Sequence, residues 1–204
     1  MLNRDPEPMS VAAFFAWQER QAERYELVGG VPVRMMAGAR NLHDDIVVNL
    51  LAALHASLRG SGCRPFTGDG SVETVPGRIR RPDVGVDCGA RDPDALTAAE
   101  PRLVAEVLSP STRDFDAFEK VEEYRGVPSL RHILLIEPNT PEVMHGSRDG
   151  AGAWRRERVA DLDAALDLDA LAVGLPLAAI YDGIVFPARP RLVQDDPATG
   201  GPAT

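Results

Sequence analysis

The chain has 204 residues, of which 44% are hydrophobic and 26% charged, ordinary proportions for a globular protein that exclude wholesale disorder. Its formal net charge of −9 argues against binding nucleic acid through a broad face of positive charge, but leaves room for a local basic groove. The polar start of the chain and the shortness of every apolar run predict neither a signal peptide nor a membrane-spanning helix.

The first third of the chain predicts a helix, a hairpin and a second helix. Ser10 is a suitable N-cap for a helix at about residues 11–22. The runs YELV and VPVRMM flank Gly29 and Gly30 and predict a β-hairpin. Apolar residues then recur at helical spacing between Ile46 and Leu58, which predicts the clearest helix of the chain.

The remainder alternates strand-like runs with helices. We expect strands at about 64–66, 71–75, 79–88 and 103–109, a helix at about 112–125, a buried strand at His132–Glu137, edge strands in PEVMH and AWRRERV, and a short helix in LPLAAIY. Alternating aspartates between 161 and 169 lack the spacing of a calcium loop and predict a solvated acidic stretch. The order predicts an α/β fold with a central mixed β-sheet flanked by helices, because several connections are hairpin-short.

Domain and compartment follow from composition. Residues 1–186 are expected to form one domain, and residues 187–204, with almost no apolar content, a disordered tail. The two cysteines, Cys63 and Cys88, are too few for a disulfide framework or a zinc site. A reduced, cytoplasmic setting is therefore the default expectation.

One carboxylate interrupts a strand that should be buried. In LVAEVLS both strand faces are apolar except for Glu106. Burying an ionised carboxylate without a partner is very costly. Glu106 must therefore be paired, protonated or metal-bound, and an ion pair with an arginine is the structural alternative to a functional role.

Lys120 is the single lysine among the 22 lysine and arginine residues of the chain. Glu106 lies about 10 Å below the end of its strand, and Lys120 about 12 Å down the helix that returns along the sheet, at rises of ~3.3 and ~1.5 Å per residue. These matching heights predict that Lys120 approaches Glu106. The alternative is a surface pair between Lys120 and Asp116.

Asp83 adds a second carboxylate. If its strand neighbours the strand of Glu106, two carboxylates and one ammonium converge; the alternative is a solvated strand face. This set suits metal-assisted phosphodiester hydrolysis, because carboxylate oxygens hold Mg²⁺ and a lysine orients the attacking water. The adjacent cluster of Arg78, Arg80 and Arg81 is a candidate contact for the DNA backbone, with surface charge balance as the alternative.

These motifs resemble the bacterial family of putative restriction endonucleases, within the PD-(D/E)XK nuclease superfamily. The similarity is carried by YELV-GG, NLHDDIVVNL, RPDVGVDC and EVLSPSTRD…K…Y…GVP, and it runs over about residues 25–184. It implies a restriction-endonuclease-like core and cleavage of DNA with Mg²⁺, for which Mn²⁺ can substitute.

The resemblance also assigns residues. Pro82 and Asp83 match the first acidic motif, and Glu106 matches the second acid. The superfamily's lysine normally stands two residues after that acid, where this chain has Leu108. The family places its lysine on the following helix, which corresponds to Lys120.

Two further positions match the family. Glu26 is implied as a third acid near the metal, with a charge on the hairpin surface as the alternative. His43 is implied as a catalytic candidate, and the alternative is a structural histidine near a helix N-terminus.

The leading hypothesis is a Mg²⁺-dependent DNA endonuclease in which Asp83 and Glu106 hold the metal and Lys120 positions the water. The alternative is a catalytically inactive nuclease-fold binding or regulatory module. A carboxylate-pair glycosidase is disfavoured, because it leaves Lys120 without a role. A homodimer is expected, because cutting both strands of DNA needs two sites and two-fold symmetry supplies them.

Overall fold

The computed structural model describes residues 8–35, 40–109 and 119–186. In these ranges the helices are α1 Val11–Gln18, α2 Asn41–Ser57, α3 Val121–Arg125 and α4 Leu177–Ile180. The strands are β1 Tyr25–Val28, β2 Val31–Arg34, β3 Arg64–Thr67, β4 Val72–Glu73, β5 Ile79–Arg80, β6 Val84–Asp87, β7 Pro101–Val107, β8 His132–Glu137, β9 Glu142–Arg148, β10 Trp154–Val159, β11 Ala165–Leu168 and β12 Val173–Pro176. Among the described helices, none is both long and apolar enough to cross a lipid bilayer.

A six-stranded sheet forms the centre of the fold, in the order β10-β9-β8-β7-β6-β3. The pair β7–β8 is parallel and the other pairs are antiparallel. The prediction of a mixed central sheet flanked by helices is therefore confirmed. A parallel pair needs a crossover connection, and here the chain between β7 and β8 contains α3.

The two faces of the main sheet are covered differently. On one face, Ile46, Leu50 and Leu54 of α2 pack with the β11–β12 hairpin and α4 in the largest apolar cluster. On the other face, Tyr124 of α3 packs with Val104 and other residues in a smaller cluster. Glu106 and Val104 are on the same face, because alternate residues of a strand point to the same side.

A second sheet has the strand order β2-β1-β5-β4, and its strands come before and after β3 of the main sheet in the sequence. Its β1–β2 hairpin turns through Gly29 and Gly30, whose φ angles are 58° and 81°. These positive values favour glycine, and the predicted hairpin is confirmed. Phe14 and Phe15 of α1 pack on this sheet with Leu27 and Ile79.

Several predicted boundaries need correction. Ser10 caps α1 as expected, but the helix ends at Gln18 rather than near residue 22. The prediction that PEVMH is an edge strand is wrong, because β9 is paired on both sides, whereas the strand predicted in AWRRERV, β10, is an edge as expected. Part of the predicted acidic stretch is the strand β11, whose Leu166 and Leu168 are buried while Asp167 is exposed.

Cys63 and Cys88 are joined by a disulfide bond, with a Cα–Cα distance of 4.1 Å. Cys63 precedes β3 and Cys88 follows β6, and these strands are antiparallel neighbours. The sequence did not predict this pairing, because two cysteines 25 residues apart carry no information on their separation in space. The expectation of a reduced setting, which treated both cysteines as unbonded, is not supported by this bond.

Two predictions concern residues outside the described ranges. They are the first part of the third predicted helix, at 112–118, and the tail at 187–204. The described end of that helix is α3, preceded by a short π-helical turn at Glu119 and Lys120.

Candidate active site

Glu106 lies in β7, an interior strand of the main sheet, and is 3% exposed. Its Oε1 accepts a hydrogen bond from Tyr124 Oη at 2.8 Å and one from Lys120 Nζ at 3.2 Å. The approach of Lys120 to Glu106, predicted from matching heights, is confirmed. The alternative of an ion pair between Glu106 and an arginine is not what these contacts show.

Lys120 connects two carboxylates. Its Nζ lies 3.2 Å from Glu106 Oε1 and 3.3 Å from Glu26 Oε1, and the residue is buried. The alternative pair with Asp116 involves a residue outside the described ranges. Because Lys120 and Tyr124 are four residues apart, both side chains reach Glu106 from one side of the same helical segment.

Glu26 reaches this group from the second sheet. It lies in β1, is 5% exposed, and accepts hydrogen bonds from Arg80 Nη1 at 2.9 Å and from the backbone N–H of Arg81 at 3.0 Å. The alternative of a hairpin surface charge is therefore excluded by its burial. Glu26 joins the two sheets through the ammonium of Lys120.

Arg80 is completely buried and completes the network. Its Nε and Nη2 donate to the two carboxylate oxygens of Glu123 at 2.8 and 2.7 Å. Burial by itself would lower the pKa of Arg80, but the hydrogen bonds and charges of Glu123 and Glu26 outweigh it and raise the pKa. Likewise, burial would raise the pKa of Glu123, but Arg80 and Arg78 lower it. Both side chains therefore remain charged.

Asp83 immediately precedes β6, the strand that pairs with the strand of Glu106. The pairing of Val84 with Ala105 places Asp83 one residue beyond, opposite Glu106. Asp83 Oδ2 accepts a hydrogen bond from the backbone N–H of Val107 at 2.8 Å and lies 3.2 Å from His43 Nε2. The side chain of Asp83 is 25% exposed, so this carboxylate stands between the buried network and solvent.

The strands of Asp83 and Glu106 are therefore neighbours, which is the condition on which their expected convergence depended, and α2 brings His43 within 3.2 Å of Asp83. The sequence matches the family described as Uma2, putative restriction endonuclease, over residues 11–179. The chain belongs to this family.

Relatives and a solved structure agree with this placement. An uncharacterized protein of Synechocystis sp., slr1290, is 31% identical over 182 residues, 87% of this chain and 94% of the relative. A second Synechocystis protein, sll1609, is 28% identical over 152 residues, 72% of this chain and 84% of that protein. The crystal structure of a putative nuclease belonging to DUF820 from Anabaena variabilis has a TM-score of 0.66 at 16% identity, over 85% of this chain and 97% of that chain.

Membership of the Uma2 family supports a nuclease role for this chain, and the Anabaena structure shares its fold. The restriction-endonuclease-like α/β fold expected from the sequence is thereby confirmed.

In this Uma2 chain the arginines next to Asp83 do not form an exposed basic cluster. Arg80 is fully buried, and Arg81 is 7% exposed and donates to the backbone carbonyls of Tyr25 and Asp69. Arg78 is paired with Glu123 at 2.6 Å. The guanidinium groups of Arg80 and Arg81 are therefore held by internal partners, and the assignment of this cluster to the DNA backbone stays a prediction.

Tyr124 and Glu123 belong to the network but were not identified as members of it from the sequence. Tyr124 was assigned only to an apolar helix stripe, although a buried tyrosine needs a partner for its hydroxyl, and that requirement was an available signal. Burial and the charges of Glu106 and Glu26 raise the pKa of Tyr124 well above its usual value, so its hydroxyl remains a donor. Nothing in the sequence pattern around Glu123 distinguished it from Glu122, which is exposed.

Proposed function

We propose that this protein is a Mg²⁺-dependent DNA endonuclease. The observation that carries the proposal is the buried ammonium of Lys120, which lies 3.2 Å from Glu106 and 3.3 Å from Glu26, while the partly exposed Asp83 lies on the strand next to that of Glu106. A single cation between two carboxylates at the end of a sheet is an arrangement that can hold a water and balance the charge of a phosphate.

The donor set fits Mg²⁺. Asp83 and Glu106 supply hard carboxylate oxygens from adjacent strands, and Asp83 is accessible to solvent. Among the described residues no group of three or more His, Cys, Asp and Glu is arranged to hold a metal. The two carboxylates Asp83 and Glu106 match the usual preference of Mg²⁺ for one or two carboxylates together with water and substrate phosphates. Mn²⁺ is expected to substitute, since carboxylate and water ligands suit both ions.

Each residue then has a distinct task. A bound Mg²⁺ would supply an acidified water and offset negative charge on the phosphate. Lys120 donates an N–H to orient the attacking water, while its contacts with Glu26 and Glu106 fix the position of the ammonium. His43 lies 3.2 Å from Asp83 Oδ2 and restricts the orientation of that carboxylate. Glu26 acts through Lys120 and is a positioning residue.

The experiment is incubation of supercoiled plasmid with the purified chain and Mg²⁺ or Mn²⁺. We expect Lys120→Ala and Asp83→Asn each to lower the cleavage rate by about 100-fold or more, the usual effect of removing one preorganised charge or donor. Lys120→Arg keeps the charge and is expected to lose activity as well, because a planar guanidinium cannot replace a compact ammonium.

Asp94→Asn is the matched control, since Asp94 is exposed and is not one of the residues of the network. It should cut at the wild-type rate. The site assignment fails if wild type and Lys120→Ala cut equally, or if neither cuts under any divalent ion.

A second candidate is a nuclease-fold binding or regulatory module without catalysis. The observation that favours it is that Glu106 Oε1 already accepts from both Lys120 and Tyr124, as in a purely structural ion-pair network. Calorimetry separates the two functions: the endonuclease requires binding of Mg²⁺ or Mn²⁺ that Asp83→Asn abolishes, and the module requires none.

A further inference from the structure

A cleft opens on the Glu106 face of the main sheet, between α3 and the strands β8, β9 and β10. Its floor is apolar and is formed by Ile133, Leu135 and Met144. Two arginines line it, Arg125 from α3 and Arg156 from β10. The cleft is therefore a basic and apolar surface on a protein whose net charge is −9.

Strand pairing connects the cleft directly to the candidate active site. Glu106 is paired with Leu135, Leu135 with Met144, and Met144 with Arg158, so these residues form one row across β7 to β10. Arg156 lies two residues along β10 from the end of this row, on the same face. Three strand spacings of about 4.8 Å, together with the offset of two residues at ~3.3 Å each along the strand, give a distance of ~16 Å between Glu106 and Arg156.

The distance between Glu106 and Arg156 corresponds to a short stretch of one DNA strand. Successive phosphates of one DNA strand advance about 3.4 Å along the helix axis, so ~16 Å corresponds to about five nucleotides. A phosphate contact at the cleft would therefore lie a few nucleotides from a scissile phosphate at Glu106. Contacts at this range fix the register and orientation of a duplex.

The two arginines of the cleft are suited to such a contact. Arg156 is exposed, and among the described residues no hydrogen bond or ion pair engages its guanidinium. Arg125 Nη1 is paired with the exposed Glu122 at 2.6 Å, and its buried Nε has no hydrogen-bond partner within the described ranges. An exposed pair of this kind contributes little and can be exchanged for a phosphate.

The neighbouring arginines of the same sheet face have other roles. Arg158 donates to both oxygens of Glu142. Arg148 donates to the backbone carbonyls of Val127 and Pro128 and lies over the ring of Trp154.

We infer that Arg125 and Arg156 bind backbone phosphates of DNA above this apolar floor. The inference rests on the proposed nuclease function and extends it by naming the surface that holds the substrate. This surface is different from the cluster of Arg78, Arg80 and Arg81, in which Arg80 and Arg81 are buried and Arg78 is paired with Glu123.

The test is the affinity of a fluorescein-labelled DNA duplex for the full chain, measured by anisotropy between 50 and 200 mM salt. Ca²⁺ is used in place of Mg²⁺ because it is also coordinated by carboxylate oxygens, and a gel verifies that the duplex stays intact during the measurement. We expect Arg156→Gln and Arg125→Gln each to raise Kd by about fivefold to tenfold at 0.1 M salt and to reduce the salt slope by ~0.9, the value for one phosphate contact.

Arg155→Gln is the matched control. Arg155 is adjacent in β10, its side chain is 79% exposed, and it points to the opposite face of the sheet. The change in charge is identical, so a general electrostatic effect would appear equally in both variants. We expect Arg155→Gln to change Kd by less than about twofold, because screening weakens contacts beyond the Debye length.

The outcomes separate this inference from the proposed function. If duplex binds and Arg156→Gln equals Arg155→Gln, the cleft is not the binding surface, whatever the cleavage assay shows. If Arg156→Gln weakens binding selectively but Mg²⁺ gives no cleavage, the cleft stands and the endonuclease proposal fails. If the wild-type chain does not bind duplex at all, the cleft inference is overturned.

Discussion

Lysine and arginine divide two tasks within one buried network. Arg80 donates through two nitrogens to both oxygens of Glu123, a pairing that needs the planar fork of a guanidinium. Lys120 instead lies between single oxygens of Glu26 and Glu106, where a compact ammonium with three donors fits better. The single lysine among the 22 lysine and arginine residues of the chain therefore occupies a position that suits an ammonium better than a guanidinium.

Arg80 is expected to be essential for stability. Arg80→Ala would leave Glu26 and Glu123 buried without their main cation, and breaking such a pair costs about 3–5 kcal/mol. The measurement is the free energy of unfolding from urea denaturation at pH 7.5. Arg155→Ala, on the surface, should stay within about 0.5 kcal/mol of wild type. A loss below about 1 kcal/mol for Arg80→Ala would contradict a stabilising role for this network.

The main elements decide which residues can meet. β7 pairs in antiparallel fashion with β6 and in parallel with β8, so the chain must cross over the sheet between β7 and β8. That crossover contains α3 and brings Lys120 and Tyr124 over Glu106. The pairing of β6 with β7 places Asp83 next to the end of β7 that carries Glu106. The site is thus a consequence of strand order more than of any continuous motif.

The disulfide stabilises a pair of elements at the edge of the sheet. Cys63–Cys88 closes a loop over a separation of 25 residues, which in the chain-entropy description contributes about 3 kcal/mol. We expect a reducing agent to lower the urea midpoint of wild type but not of the variant Cys63→Ser/Cys88→Ser. Two titratable thiols in protein unfolded without reductant would show that the bond is not formed in solution.

Two buried histidines make the stability of the whole molecule depend on pH. His132 and His145 are buried on adjacent strands of the main sheet, with Nδ1 of the first 3.1 Å from Nε2 of the second. Burial, followed by the charge of His145, lowers the pKa of His132 to about 4, although Asp169 opposes the shift. Burial also lowers the pKa of His145. The two imidazoles are therefore neutral in the folded protein near pH 7.

This depression of the pKa predicts a dependence of stability on pH. Below pH 6.5 the unfolded chain binds protons that the folded chain takes up only near pH 4, so the free energy of unfolding falls as the pH decreases through this window. For His132 alone, the loss between pH 7.5 and 5.5 is about 1–2 kcal/mol. Urea denaturation at several pH values measures it.

A substitution isolates the contribution of the buried histidine. His132→Gln should flatten the curve between pH 7.5 and 5.5, even if it lowers stability at pH 7.5. His55→Gln, at an exposed position of α2, should leave the slope unchanged. An equally steep curve for wild type and His132→Gln would mean that other groups cause the pH dependence.

Much of the fold was predictable because its signals are local. Helical spacing identified α2, the two glycines identified the β1–β2 hairpin, and an apolar run identified β8. The strand β11 was missed because its aspartates alternate with leucines that face the core, and alternation in a polar stretch resembles a solvated loop. The pairing of Cys63 with Cys88 was missed because it depends on strand neighbours.

The candidate site was predictable in part. Glu106 was identified because a carboxylate in a buried strand is costly, and Lys120 because helix and strand rises placed it at the same height. Arg80 was interpreted as a surface cation, and its complete burial could not be foreseen. An arginine carries the same sequence signal whether its partners are solvent or two carboxylates from distant strands.

The sequence by itself determined the class of fold, the buried position of Glu106 and the approach of the single lysine, because burial and periodicity are properties of single segments. Only the tertiary structure decided which carboxylates share that lysine, that Arg80 lies inside and that Arg156 lies outside above the same sheet face. Those facts depend on the order and register of strands far apart in the chain. Register sets which side chains meet, and local patterns do not encode it.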